Sequence, residues 1–92
     1  MPLRMEWDPR KAIKNLAKHG VSFDEAATAF RDPLGKVVDD PRHSVGEQRY
    51  VLLGYSERGR PLAVMFTERG GSIRLISARG ATPRERRGHE EG

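Results

Sequence analysis

Five consecutive apolar residues, Leu62-Ala63-Val64-Met65-Phe66, sit between Pro61 and Thr67. A run this short, rich in strand formers and without alternation, reads as a β-strand buried on both faces. In a chain of 92 residues such a strand takes the centre of the only sheet, and both of its faces need cover. Gly70-Gly71 then marks a tight hairpin, and the strand that follows alternates. Ile73, Leu75 and Ser77 point one way, and Arg74, Ile76 and Ala78 the other. Gly80 breaks the pattern, and Thr82-Pro83-Arg84-Glu85 forms a capping box with proline at the first helical position. A strand therefore hands over to a helix at Thr82. Arg74 lies on the strand, Arg79 at its exit, and Arg84, Arg86 and Arg87 on the helix, so guanidinium groups gather at one strand-to-helix corner. Planar guanidinium forks match phosphate oxygens, which points to a polyanion.

The rest of the chain supplies the cover. Leu3, Met5 and Trp7 alternate with Arg4 and Glu6, as in a short edge strand. Asp8 caps a first helix with Pro9 at its start, Ile13, Leu16 and Ala17 as its apolar face, and Gly20 as its stop. Lys11, Lys14 and Lys18 recur on it at helical spacing, a stripe that taken alone reads first as a solvated face. Ser22-Phe23-Asp24-Glu25 is a second capping box, with Val21 stapled on Ala26. It opens a helix whose Phe23, Ala26, Ala27 and Phe30 share a side, and Asp32-Pro33 ends it. Lys36 to Asp40 and Gln48 to Tyr55 are further strands, and the tail from Gly88 to Gly92 is expected to fray. The expected fold is α+β in a single domain, residues 1–92. Two N-terminal helices pack on a small, mainly antiparallel sheet that is followed by a C-terminal helix.

Lysine and arginine outnumber aspartate and glutamate by 17 to 13, which favours an anionic partner such as nucleic acid or marks a merely soluble basic surface. The absence of cysteine excludes a disulfide framework, a thiolate nucleophile and a Cys-based zinc site, and a reducing cytoplasm is the default compartment. His19, His43 and His89 lack the spacing of a helical metal pair, so no metal and no cofactor is expected. No apolar run approaches a membrane span.

No phosphate-binding glycine loop, nucleophile elbow or metalloprotease helix occurs. The segment from His43 to Arg49 instead places an imidazole, the Glu47 carboxylate and the Arg49 guanidinium at a loop-to-strand junction. Such a group offers a base, an acid and a phosphate clamp. That is enough for RNA, whose 2′-hydroxyl is an internal nucleophile. The same residues also suit an ordinary turn histidine and a surface ion pair. His19 reads as a helix C-terminal cation and Trp7 as a core lid, while His89 falls in the tail. Arg74 and Arg79 are the firmer candidates, although a strand arginine often only pairs with a nearby acid.

Glu6-Trp7-Asp8, Lys11, Asn15, the run Lys18 to Phe23, Glu25-Ala26, Phe30 to Pro33, His43-Ser44, Glu47, Arg49, Leu53-Gly54, the run Arg74 to Arg79 and Glu85-Arg86 resemble, in this order, the BrnT toxins of type II toxin–antitoxin systems. The resemblance implies a RelE-like fold and a metal-independent endoribonuclease that stops translation. It also implies neutralisation by a BrnA antitoxin whose ribbon-helix-helix domain binds operator DNA, so that the toxin reaches DNA only through it. By position it draws attention to His43, Glu47, Arg49, Arg74 and Arg79 for catalysis and to Lys18, His19 and Arg86 for RNA binding. Gly80, where the family commonly has a basic residue, is a departure. An antitoxin acidic at its contact surface is expected to cover the arginine corner. A non-catalytic nucleic-acid-binding module and a protein-interaction adaptor are the alternatives.

Overall fold

The structure, a computed structural model, describes residues 4–43 and 45–91, with only the backbone of His43 and Glu91. Leu3, Ser44 and Gly92 lie outside the described residues. Strand β1 (Arg4–Glu6) leads into helix α1 (Pro9–His19) and helix α2 (Phe23–Thr28), which continues as a 3-10 turn (Ala29–Arg31). Strand β2 (Lys36–Asp39), a second 3-10 turn (Pro41–His43), and strands β3 (Arg49–Tyr55), β4 (Pro61–Arg69) and β5 (Ser72–Gly80) follow. Helix α3 (Pro83–Glu91) comes last. The sheet order is β1-β5-β4-β3-β2, with β1 parallel to β5 and every other pair antiparallel. The architecture is α+β, and β4 takes the central place that its apolar run predicts. No helix among the described residues is long and apolar enough to cross a membrane.

The local signals act as expected at most element ends. The Asp8 side chain accepts from the Arg10 amide at 2.8 Å, and Gly20 closes α1 in the left-handed conformation, φ 70°. Gly70 and Gly71 have φ of 54° and 83°, the two positive values that a tight β4–β5 hairpin demands. Gly54 is required for space, because a Cβ there would stand 3.0 Å from the carbonyl oxygen of Ala29.

One face of the sheet carries the core. Val21, Phe23, Ala26 and Ala29 pack on Leu52, Leu62, Val64, Phe66, Leu75 and Ala78. Phe30 meets Phe66 edge-on at 5.1 Å between ring centroids, and Tyr50 stacks on Phe66 at 5.4 Å. Helix α1 departs from its expected packing. Ile13 is 72% exposed and Leu16 51%, and Ala17 is exposed too, so this apolar triad is not the packed face. The buried residue of α1 is Asn15. Its Nδ2 donates to the carbonyls of Val21 (2.9 Å) and Ala78 (2.8 Å), and its Oδ1 accepts from the Ala78 amide at 3.0 Å. The helix is docked by the hydrogen bonds of an amide side chain along strand β5, a contact that hydrophobic periodicity does not register.

Glu25 also departs from the capping-box reading. Ser22 Oγ accepts from the Glu25 amide at 3.0 Å as expected. The Glu25 carboxylate, though, is buried, accepting from Ser56 Oγ at 2.7 Å and from Nε of Arg60 at 2.8 Å, with a further bond from Arg60 Nη2. The Arg60 hydrogen bonds, opposed by burial and reinforced by Ser56, hold its carboxyl at about 2 instead of 4.5. Because the native pKa lies below the unfolded one, this group stabilises the fold fully above pH 4.5 and the contribution is lost as pH falls towards 2. It is worth about 3 kcal/mol. Urea denaturation of Glu25→Gln is expected to show lower stability than the parent at pH 7 and a shallower loss of stability between pH 4.5 and 2. Equal pH profiles for the two proteins would refute the assignment.

Candidate functional site

The second face of the sheet is built in three cross-strand rows by the strand register. Lys36, Leu53, Ala63 and Arg79 form the first, and Val38, Val51, Met65 and Ser77 the second. Arg49, Thr67 and Arg74 form the third, extended by Asp40, whose amide donates to the Arg49 carbonyl at 3.0 Å. A β-bulge produces this arrangement. Met65 pairs with Ser77 but Phe66 with Leu75, so Ile76 is the extra residue in β5. The simple alternation expected for β5 therefore fails beyond Leu75. Ala78 turns into the core, and Ser77 joins Arg74 and Arg79 on the second face. Sequence periodicity has no signal for a bulge.

Helix α3 lies over the first row. Gly88 accepts at its carbonyl from Lys36 Nζ at 2.7 Å, and Glu85 takes both terminal nitrogens of Arg79, at 2.7 and 3.0 Å. Thr82 and Glu85 make the reciprocal capping box read from sequence, at 2.9 and 3.1 Å. The Arg79 bonds lower the Glu85 pKa and raise that of Arg79. At the far end of α3, His89 Nε2 stands 3.0 Å from Asp32 Oδ2, and the Tyr55 hydroxyl donates to Glu90 at 2.7 Å. Asp32 also accepts from the amides of Tyr55 and Leu34 at 2.8 and 2.9 Å, and these bonds, the Tyr55 amide first, lower its pKa. The tail expected to fray is thus helical through Glu91, and His89, set aside in the sequence, is a buried docking residue.

These contacts revise the arginine corner. Arg79 is committed to Glu85, and Arg86 is paired with Glu90 on its own helix at 3.2 Å. Arg74 stands two rows from Arg79, about 13 Å along the strands, beside Glu6 at 3.9 Å. Arg74 thus stands apart from Arg79 along the sheet, and the guanidinium of Arg79 at the strand-to-helix junction is engaged by Glu85. The register instead brings Arg74 and Arg49 to the same row and face, about 10 Å apart with Thr67 between them. Thr67 is buried, its hydroxyl donating to the Gln48 carbonyl at 2.6 Å. Glu47 lies at the end of the β3–β4 pair, 3.3 Å from Arg69. The His43 backbone closes the 3-10 turn after Asp40, and its side chain lies outside the described residues.

Beside the segment that leads into β3, the second face holds a trough of about 140 Å³ lined by Asp40, Arg49, Met65, Ile76 and Ser77. Ile76 and Ser77 also line a second groove of about 340 Å³ against α1, with Lys11, Lys14, Asn15, Lys18 and His19. The expected RNA-binding residues Lys18 and His19 are therefore together on this groove, and Arg86 is not among its lining residues. Asp40, Ser77, Met65 and Asn15 were not legible as site residues, because the bulge and the second-face rows exist only in the folded sheet. Among the described residues no cluster of three or more His, Asp or Glu side chains is placed to hold a metal ion.

Comparison with known proteins bears on this geometry. A family profile described as "Ribonuclease toxin, BrnT, of type II toxin-antitoxin system" matches residues 7–85. The chain is also similar to the crystal structure of the Brucella abortus ribonuclease toxin BrnT, with a TM-score of 0.68 and 25% sequence identity. The alignment covers 88% of this chain and 99% of that one. Comparison with curated proteins gives no match.

Proposed function

Because the chain belongs to the BrnT family of ribonuclease toxins of type II toxin–antitoxin systems, we propose that it cleaves RNA in the trough on the second face of its sheet. The observation that carries this reading is the pairing of Arg49 with Arg74 in one cross-strand row, beside a trough walled by Arg49 and Asp40. Two arginines on backbones about 10 Å apart, reaching from the same face, can bracket a phosphodiester, and the Asp40 carboxylate lines the same trough. In the proposed reaction the 2′-oxygen of the substrate attacks phosphorus and loses its proton to a base. The bond from phosphorus to the 5′-oxygen breaks, and that oxygen takes a proton from an acid or from water. The products are a 2′,3′-cyclic phosphate and a 5′-hydroxyl. Arg49 and Arg74 stabilise the charge that grows on the phosphoryl oxygens. Asp40, Glu47 and His43 are the candidates for proton transfer. Arg79 is given a structural role, holding α3 to the sheet through Glu85, in place of the phosphate contact expected from sequence. No metal is required for this route, since the nucleophile is part of the substrate.

The family implies an antitoxin partner. A BrnA-type antitoxin with a ribbon-helix-helix DNA-binding domain, acidic where it meets the trough, fits the charge of this face. RelE-like arrest of translation in the cytoplasm, with relief by that antitoxin, completes the proposal. Incubation of the purified protein with end-labelled RNA in the presence of EDTA tests it. Fragments ending in 2′,3′-cyclic phosphate are expected, and a single 2′-deoxy substitution at the cut site is expected to abolish the cut. Intact RNA, or cleavage that survives the 2′-deoxy substitution, would overturn it.

A further inference from the structure

The α1 groove carries three lysines that the proposed cleavage step does not use. Lys11, Lys14 and Lys18 stand on one flank of α1 and, with His19, Ile76 and Ser77, line its 340 Å³. These lysines differ from several of the arginines. Arg60, Arg69, Arg74, Arg79 and Arg86 all have carboxylate partners. Among the described residues none of Lys11, Lys14 and Lys18 is in an ion pair, and each is exposed. Their charge is available to an outside anion. From Lys11 to Lys18 the helix rises about 10 Å, the span of roughly three phosphates in a stacked strand at 3.4 Å per nucleotide. Ile76 and Ser77 also line the Arg49 trough, so the bulge of β5 is the common floor of both depressions. Asn15 fixes the strand just beyond that bulge, through both backbone groups of Ala78.

We infer that the α1–β5 groove is a track for single-stranded RNA, in which Lys11, Lys14 and Lys18 hold the phosphates flanking the cut site as the strand crosses the bulge at Ile76. This rests on reading the sheet-face trough as the place of cleavage. Ile13 and Leu16 face away from the core on the same helix and offer no charge. The three lysines fit a polyanion better than an apolar protein segment, and RNA needs a path out of the trough.

The test uses the triple variant Lys11→Gln/Lys14→Gln/Lys18→Gln and a 2′-O-methyl oligonucleotide of twelve residues, which cannot be cut. Fluorescence anisotropy across a salt series gives affinity and the slope of log K against log salt. The variant is expected to bind on the order of tenfold to hundredfold more weakly at low salt, with a slope shallower by about 2, the counterion release of three single-strand contacts. Its cleavage is expected to fall less on an RNA dinucleotide than on a twelve-residue RNA, because the longer strand alone spans all three lysines. An unchanged slope in the variant, with the parent cutting RNA normally, would refute the track and leave the trough standing. Lysine-dependent binding by a parent that cuts no RNA would keep the track and remove the catalytic reading. A variant that keeps its RNA affinity but no longer binds an acidic antitoxin would overturn the track and assign these lysines to the protein partner.

Discussion

Asn15→Ala is expected to lower the unfolding free energy by about 2–3 kcal/mol. The substitution removes the three hydrogen bonds that tie α1 to Val21 and Ala78, and it strands a buried amide and two carbonyls. An unsatisfied buried group costs about 1–3 kcal/mol, while alanine returns at most about 0.7 kcal/mol in helix propensity. The effect extends beyond stability. Ala78 is one residue beyond Ser77, and β5 has to hold its bulge for Ser77 to stay on the second face. Chemical denaturation measures the stability loss, and hydrogen exchange at the Ala78 amide reports the strand directly. A change below about 0.5 kcal/mol, with Ala78 still protected, would show that Asn15 is not the clamp.

Arg49→Ala is expected to reduce RNA cleavage by about a hundredfold to a thousandfold, the usual effect of removing one donor from a developing oxyanion, while leaving the fold intact. Arg49 is half-buried near the start of β3, where its backbone is fixed by pairing with Thr67, and truncation removes no residue of the apolar core. Arg49→Lys keeps the charge but loses the planar fork, so it is expected to recover only part of the rate. Arg74→Ala is expected to weaken both rate and substrate affinity, since its loose contact with Glu6, at 3.9 Å, leaves it able to turn to a phosphate.

Much of the frame was legible along the chain, because its signals are local. The apolar run of β4 announces the sheet centre, Gly70-Gly71 the hairpin, and Asp8, Ser22 and Thr82 the helix starts. The packed face of α1 was not legible. Hydrophobic periodicity favours Ile13 and Leu16, whereas Asn15 docks the helix through backbone groups of a strand 63 residues away. The site was legible in residue types and less so in placement. Arg49 and Arg74 are 25 positions apart, and only the register of three strands puts them in one row. Arg79 looked free because the acid that holds it, Glu85, reads in sequence as a capping residue. Glu85 does both, accepting from Thr82 as well as from Arg79. His89 looked like part of a tail because Asp32, its partner, lies 57 positions earlier in the chain.

Single-turnover cleavage of one RNA by Arg49→Ala and by Arg79→Ala, each compared with the parent under conditions where the protein is folded, separates the trough from the strand-to-helix corner. Expected is a loss of about a hundredfold or more per folded molecule for Arg49→Ala. Arg79→Ala is expected to be less stable through loss of the Glu85 pair, yet to cut at close to the parental rate per folded molecule. Parental cleavage by Arg49→Ala, together with a dead but well-folded Arg79→Ala, would contradict the trough and return the chemistry to the corner.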